Sequence, residues 1–322
     1  MVVIAIAGGA NGLGRTIAET VLRQGKHQVK ILSRSKLRCT KNIKANPKLA
    51  AEIGCEIIAV DYDNIESMKK ILEENDVHTV ISTIFLTTSA KPQNNLVMAA
   101  DASKVTKRFV PSIWGVPMTR EQADAANFII GRVKFEGVEV LKKTSLEHTR
   151  FYVCFFLDYW GYPHVPTHVT PLTMAVDMQN EFAALPGTGT TPISFIHTVD
   201  IAKFVAASLN LPKWDEESYI LGDRLTWNDF VKTAEEVKGI KFRVTYDSIE
   251  KLNTGTVTEL ETHKDIYPIM PKENAQLLMA TFGRFFHDGV FDLKPEKTLN
   301  QVFPEIKVSS VRDVLQKAWG NH

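Results

Sequence analysis

The chain opens on an apolar run, Val2–Ala7, that ends in Gly8-Gly9-Ala10-Asn11-Gly12-Leu13-Gly14-Arg15 and continues into the helix-forming residues Thr16-Ile17-Ala18-Glu19. This junction constrains the fold more than any other feature. An uninterrupted Val/Ile/Ala run suits a strand buried on both faces. Glycines at its end allow a tight turn and leave the first N–H groups of the following helix bare. Bare N–H groups at a helix N-terminus attract anions, and a glycine turn after the first strand is suited to the pyrophosphate of a dinucleotide. A glycine motif alone is weak evidence, but one set between a strand and a helix is specific. The spacing Gly8-x-x-Asn11-x-x-Gly14 puts Asn11 where glycine is usual. Asparagine tolerates the left-handed conformation, so the turn is expected to close. Gly8, Ala10, Asn11, Gly12, Leu13, Gly14 and Arg15 are therefore candidate cofactor-binding residues.

The rest of the first half alternates apolar runs with helical periods. Strands are expected at Val2–Ala7, Gln28–Ser33, Glu56–Val60, Thr79–Ile84, Arg108–Pro111 and Thr149–Phe155, and helices at Gly14–Gln24, Ser67–Glu74, Gln93–Ser103 and Glu121–Lys143. Regular alternation of this kind implies an α/β fold with a doubly wound parallel Rossmann sheet. After Phe155 the alternation fails: Asp158–Pro171 reads as an irregular stretch, Pro186-Gly187-Thr188-Gly189 as a turn, Ile193–Ile196 as a short strand and Ile201–Leu209 as a helix. A strand at Tyr219–Leu221, a helix at Trp227–Lys238 and a strand at Phe242–Tyr246 follow. The expected division is a dinucleotide-binding domain over 1–155, to which 193–211 returns, and a smaller α+β substrate-binding cap made of 156–192 and 212–322.

The second strand selects the nucleotide. An NAD site places a carboxylate near its end, whereas here it ends Leu32-Ser33-Arg34-Ser35-Lys36. Two cations, two hydroxyls and Arg15 suit a ribose 2′-phosphate, which points to NADP(H). Arg34 and Lys36 as solvated surface charges is the alternative. Lys36, Arg38, Lys41, Lys44 and Lys48 form a mildly basic patch that reads as a solvated loop, its outer part able to help hold that phosphate.

Several other classes find no support. Lys+Arg is 38 and Asp+Glu 37, a net charge of +1, which argues against a nucleic-acid partner and gives no support to an anionic membrane surface. Cys39, Cys55 and Cys154 form no CxxC pair, and their odd count suggests a reducing compartment. No apolar stretch is long enough for a membrane span, and Met1 runs into the first strand without a charged leader, so the expected location is cytoplasmic. His164-x-x-x-His168 has helical metal spacing, but Pro163 and Pro166 disfavour a helix and no third ligand is in view, so no metal is expected. His197 and Asp200 read as residues that organise and cap the next helix.

Four segments together resemble the NmrA-like and isoflavone reductase-like atypical short-chain dehydrogenases. The glycine turn is similar to their GGTGxxG[KR] opening, Val80-Ile81-Ser82-Thr83 to their fourth-strand VIS[TA], and Lys107-Arg108-Phe109-Val110-Pro111-Ser112-Ile113-Trp114-Gly115 to their KRFxPSxxG segment. Phe195-Ile196-His197-Thr198-Val199-Asp200-Ile201-Ala202 resembles the later strand-to-helix return. The resemblance covers most of the chain and is most specific over the first 160 residues. It implies NADP(H) on a Rossmann domain, with Ser82 and Thr83 beside the cofactor, and a small aromatic substrate. Because some NmrA-like proteins sense NADP(H) without catalysis and engage a protein partner, a sensor remains an alternative to a reductase, as does an isomerase that reuses the fold.

Short-chain dehydrogenases use Tyr-x-x-x-Lys for proton transfer. Here Ile130 stands in the tyrosine position and Lys134 in that of the lysine, and the isoflavone reductase-like branch also lacks the tyrosine and takes its lysine as general acid/base. The sequence points independently to the same residue. Ile130, Lys134, Val138 and Leu141 fall on one helical stripe, which surrounds Lys134 with apolar side chains and lowers its pKa. Lys134 is thus the candidate general acid/base, with contact to the cofactor ribose or a purely structural place as alternatives. Trp114, beyond the fifth strand, and Phe155, Phe156, Tyr159 and Trp160, beyond the sixth, are candidate substrate-binding residues. The same rings are also suited to gluing the cap together.

Overall fold

The computed structural model describes residues 1–34, 47–86 and 88–320. In chain order the first elements are β1 (Val3–Ala7), α1 (Gly12–Gln24), β2 (Gln28–Arg34), α2 (Pro47–Ile53), β3 (Glu56–Val60), α3 (Ile65–Glu74), β4 (Val77–Ser82), α4 (Lys91–Ala102), β5 (Arg108–Val110), α5 (Arg120–Ala125), α6 (Ile129–Leu141), β6 (Glu147–His148) and β7 (Arg150–Tyr152). Then come β8 (Phe155–Phe156), α7 (Asp158–Gly161), β9 (Val176–Asp177), β10 (Phe182–Pro186), β11 (Pro192–Ile196), α8 (Thr198–Ser208), β12 (Glu217–Tyr219), β13 (Asp223–Thr226), α9 (Trp227–Lys238), β14 (Arg243–Asp247), α10 (Ile249–Asn253), α11 (Lys272–His287), α12 (Leu299–Val302) and α13 (Val311–Trp319). Among the described residues no helix is long and apolar enough to cross a membrane.

Two compact units emerge. The first comprises Met1–Tyr152, Ile201–Ile220 and Leu299–Ile306. Its centre is a six-stranded sheet of order β3-β2-β1-β4-β5-β6, with every neighbouring pair parallel. Crossover helices bury both faces, so Ile4, Ala5, Ile6 and Ala7 of β1 are completely enclosed. The strand order reverses between β1 and β4, where open α/β sheets bind ligands at their carboxyl ends. The segment 201–220 belongs here because β12 pairs with β7, and because Arg108 reaches both Glu147 and the carbonyl of Pro212.

The second unit comprises Val153–Asp200, Leu221–Thr298 and Lys307–His322. It holds two small sheets, of order β14-β10-β9 and β13-β11-β8. Its core is aromatic: Phe155, Trp160, Phe195, Trp227, Phe230, Phe286 and Phe291 meet mostly edge to face, with ring centroids 5.0 to 5.9 Å apart.

Three local expectations change. The single strand expected at Thr149–Phe155 is instead β7 and the start of β8, in two different sheets, and the sixth strand of the parallel sheet is β6, which ends just before that span. Cys154, at φ +65°, breaks the run just before β8. The single helix Glu121–Lys143 is two helices, α5 and α6. Asn127 takes φ +48° and the Phe128 N–H bonds back to the carbonyl of Ala123, closing α5 before α6 begins. The strand at 193–196, expected to return to the dinucleotide-binding half, pairs instead with β8 and β13 in the second unit. Asp158, in the stretch expected to be irregular, lies on the short helix α7. Its carboxylate accepts the Thr198 N–H and hydroxyl, so Asp158 caps α8 while Asp200 accepts the Ser309 N–H. His197 Nδ1 accepts the Val199 N–H.

Candidate functional site

The turn between β1 and α1 is built by contacts that only glycine permits. A Cβ on Gly14 would lie 2.2 Å from Thr83 Oγ1, and one on Gly8 would lie 2.8 Å from the Thr83 carbonyl oxygen. Thr83, just past β4, is itself fixed by two hydrogen bonds to the Ala7 carbonyl, from its N–H at 2.8 Å and from Oγ1 at 2.9 Å. The two glycines thus bring α1 down onto the end of β4. Gly12 differs: it has φ +55° and faces open space. Asn11 is the N-cap residue of α1 but is extended, at φ −145°, and its side chain caps nothing. The left-handed positions are Gly8 and Gly12, so the expectation that Asn11 supplies one is corrected. With no side-chain cap, the N–H groups of Gly12, Leu13 and Gly14 have no acceptor among the described residues. Three bare donors at a helix N-terminus, beside a glycine that offers free approach, fit a pyrophosphate.

The two arginines proposed for the 2′-phosphate are placed differently. Arg34 closes β2, is exposed, and pairs with no carboxylate among the described residues. Arg15 does not stand free. Its Nε bonds Glu19 at 2.8 Å and its Nη2 bonds Glu52, on α2, at 2.6 Å. Glu52 had no signal in the sequence, because nothing in the spacing brings α2 to α1. Ser35 and Lys36, with most of the basic patch, lie outside the described residues.

Ser82 is fully buried. It acts through its carbonyl, which accepts the Trp114 indole N–H at 2.8 Å. Trp114 has φ +28° and stacks on Phe151, with ring centroids 5.3 Å apart and planes 4° apart. The turn that carries it is pinned on both sides. The Ser112 N–H donates to Gln93 Oε1 at 2.6 Å, and the Ser112 hydroxyl donates to the Ile84 carbonyl at 2.9 Å.

Lys134 reaches this turn from α6. Its Nζ donates to the Ile113 carbonyl, and a Cβ on Gly115 would lie 3.7 Å from it. No described carboxylate pairs with it. Burial disfavours the ammonium and lowers its pKa from the usual lysine range to about 8. The Ile113 carbonyl therefore orients the amine, on a turn that the Ser112 bonds to Gln93 and Ile84 hold in place. Sequence reading missed Gln93, although Ser112 and Ile113 lie inside the Lys107–Gly115 motif.

The aromatic run of the second unit separates into two kinds. Trp160 is 2% exposed, packs on Trp227 and Phe230, and donates its indole N–H to the Val176 carbonyl. Phe155 is likewise buried among Phe286 and Phe291. Both rings are committed to the core, which corrects their expected place against a substrate. Phe156 and Tyr159 are partly exposed. A cavity of about 30 Å³ lined by Met174, Asp247, His263 and Met279 lies inside this unit and has room for a water or two, not for an aromatic ring. His164 packs edge-on against Trp319, and the described residues contain no group of three potential metal ligands.

A sequence profile described as the NmrA-like family matches residues 2–306. The chain belongs to the NmrA-like family. This NmrA-like chain is 33% identical to Oxidoreductase BOA1 of Botryotinia fuckeliana, over 95% of this chain and 96% of that protein. It is 30% identical to Oxidoreductase swnN of Metarhizium robertsii, over 99% of this chain and 98% of that protein. Among solved structures, the NADPH complex of leucoanthocyanidin reductase from Vitis vinifera matches with TM-score 0.73 at 19% identity, covering 98% of this chain and 99% of that one. A structure from work on pinoresinol-lariciresinol and phenylcoumaran benzylic ether reductases matches with TM-score 0.74 at 17% identity, covering 98% of each chain. These structures share the fold.

Proposed function

We propose that this NmrA-like chain is an NADPH-dependent reductase of a small aromatic or conjugated metabolite, with Lys134 as its general acid. The observation that carries the reading is the Lys134 amine: partly buried, without a carboxylate partner among the described residues, held by the Ile113 carbonyl, and at the same sheet edge as the uncapped N-terminus of α1. The family's named oxidoreductases support it, as does a solved relative described with NADP+ and (+)pinoresinol.

In this reading the amides of Gly12, Leu13 and Gly14 hold the pyrophosphate, and Arg34 meets the 2′-phosphate. NADPH, when bound, supplies hydride from nicotinamide C4. Lys134 Nζ delivers a proton to the substrate atom on which negative charge develops, and recovers it from solvent. A pKa of about 8 keeps the amine protonated at neutral pH, yet close enough to release its proton. The Ile113 carbonyl keeps the amine in one place through both states. Trp114, on the turn that Lys134 reaches, is the ring of this unit available for an aromatic substrate.

The test is loss of NADPH absorbance with a panel of aromatic enones, enals and benzylic ethers. Lys134→Ala should lower kcat/KM by roughly 100-fold or more while NADPH affinity is kept. Because the acid form is needed for reduction, kcat/KM should fall as pH rises through about 8. Tight NADPH binding with no turnover on any compound would instead favour a cofactor sensor.

A further inference from the structure

Phe85 is 83% exposed, at the carboxyl end of the sheet, in the loop that follows β4. Exposure of this kind usually marks a loose loop tip, but here the backbone is anchored on both sides. The Ile84 carbonyl accepts the Ser112 hydroxyl, and Leu86, only 3% exposed, packs with Ala90 and Val133. Val133 immediately precedes Lys134. The ring thus stands out from a fixed support, where water gains nothing from it and a flat partner gains much.

The strand order says what that partner is. β2, β1, β4 and β5 are neighbours in that sequence, and strands lie about 4.8 Å apart. Arg34 ends β2, the glycine turn ends β1, Thr83 and Phe85 follow β4, and Ile113, which holds Lys134, follows β5. Thr83 is in direct contact with the space beside Gly8 and Gly14. A dinucleotide with its 2′-phosphate at Arg34 and its pyrophosphate at the α1 N-terminus must run its other half past the end of β4.

We propose that Phe85 is a binding platform for the nicotinamide half of the cofactor, packing on the nicotinamide riboside and shielding it from water. The inference rests on the NADPH reading above and adds a contact to it. It involves the side chain alone, so the anchored backbone leaves folding unaffected by substitution.

Calorimetry with two probes tests it: NADPH, and adenosine 2′,5′-bisphosphate, which carries the 2′-phosphate end but no nicotinamide. Phe85→Ala should weaken NADPH binding by roughly 5- to 50-fold, the range seen for loss of one stacking ring, and leave the bisphosphate unchanged. Phe85→Tyr should restore NADPH affinity, because the ring is what matters. Unchanged NADPH affinity in Phe85→Ala overturns the proposal, including the case where only the KM for the second substrate rises. Equal weakening of both probes also overturns it, since the ring would then act on the adenine half or on the fold. Wild-type protein that binds neither probe refutes the NADPH reading itself.

Discussion

The turn after β1 and the aromatic run Phe155–Trp160 look equally functional in the sequence, yet the molecule treats them in opposite ways. The turn leaves its polar groups unsatisfied: Asn11 caps nothing, and Gly12 faces open space. The aromatic run satisfies nearly everything it has. Trp160 gives its indole N–H to Val176 and both faces of its ring to the core, and Asp158 is consumed in capping α8. Backbone donors that no side chain caps are left to water or to an anion, so the turn keeps the capacity to bind one. Aromatic rings are at home both in a core and in a pocket, so their presence marks neither until burial is known.

Truncation of one ring should separate the two regions most sharply. Trp160→Ala should cost about 3 to 5 kcal/mol in urea-induced unfolding, because it empties the middle of an aromatic core. At a temperature where that variant stays folded, its NADPH affinity should equal that of the wild type. A mild effect on stability would return Trp160 to the list of substrate contacts.

The turn should respond in the reverse sense. Gly14→Ala forces a methyl group against Thr83 Oγ1, which is already committed to Ala7. Helix α1 must shift off β4, so calorimetry should show NADPH and NADH both weakened by about tenfold or more, with a stability loss of about 1 to 3 kcal/mol.

Charge changes at the 2′-phosphate end should be smaller and selective. Arg34→Asp should weaken NADPH roughly tenfold more than NADH in the same titration, whereas equal losses would show that Arg34 is only a solvated cation. Glu52→Gln should act in the opposite direction. It releases one of the two carboxylates that hold Arg15, so NADPH affinity should rise a few-fold at low salt while NADH affinity stays constant. No change in the NADPH-to-NADH ratio would place Arg15 outside the phosphate's reach.

Some of this arrangement was legible early because it depends on local pattern. The strand Glu56–Val60 and the helix Trp227–Lys238 occupy the residues their apolar periods indicate. The stripe through Val138 and Leu141 did identify a helix face that carries Lys134 inward. The break at Asn127, the division of 147–156 among three sheets, and the pairing of β11 with β8 were not legible. Each depends on which distant strand or helix a segment meets, and single-chain periodicity is silent on that.

The sequence by itself determined that a buried strand would end in a glycine turn, that a parallel α/β sheet would follow, and that Lys134 would share a helix with the buried Val138 and Leu141. These are consequences of side-chain size and spacing within a few turns of chain. The tertiary structure alone decided which cations stay unpaired, which rings become core, and which carbonyl holds the amine. Those outcomes follow from long-range contacts that remove water from some groups and leave it on others, as Glu52 does for Arg15, Trp227 for Trp160 and Ile113 for Lys134.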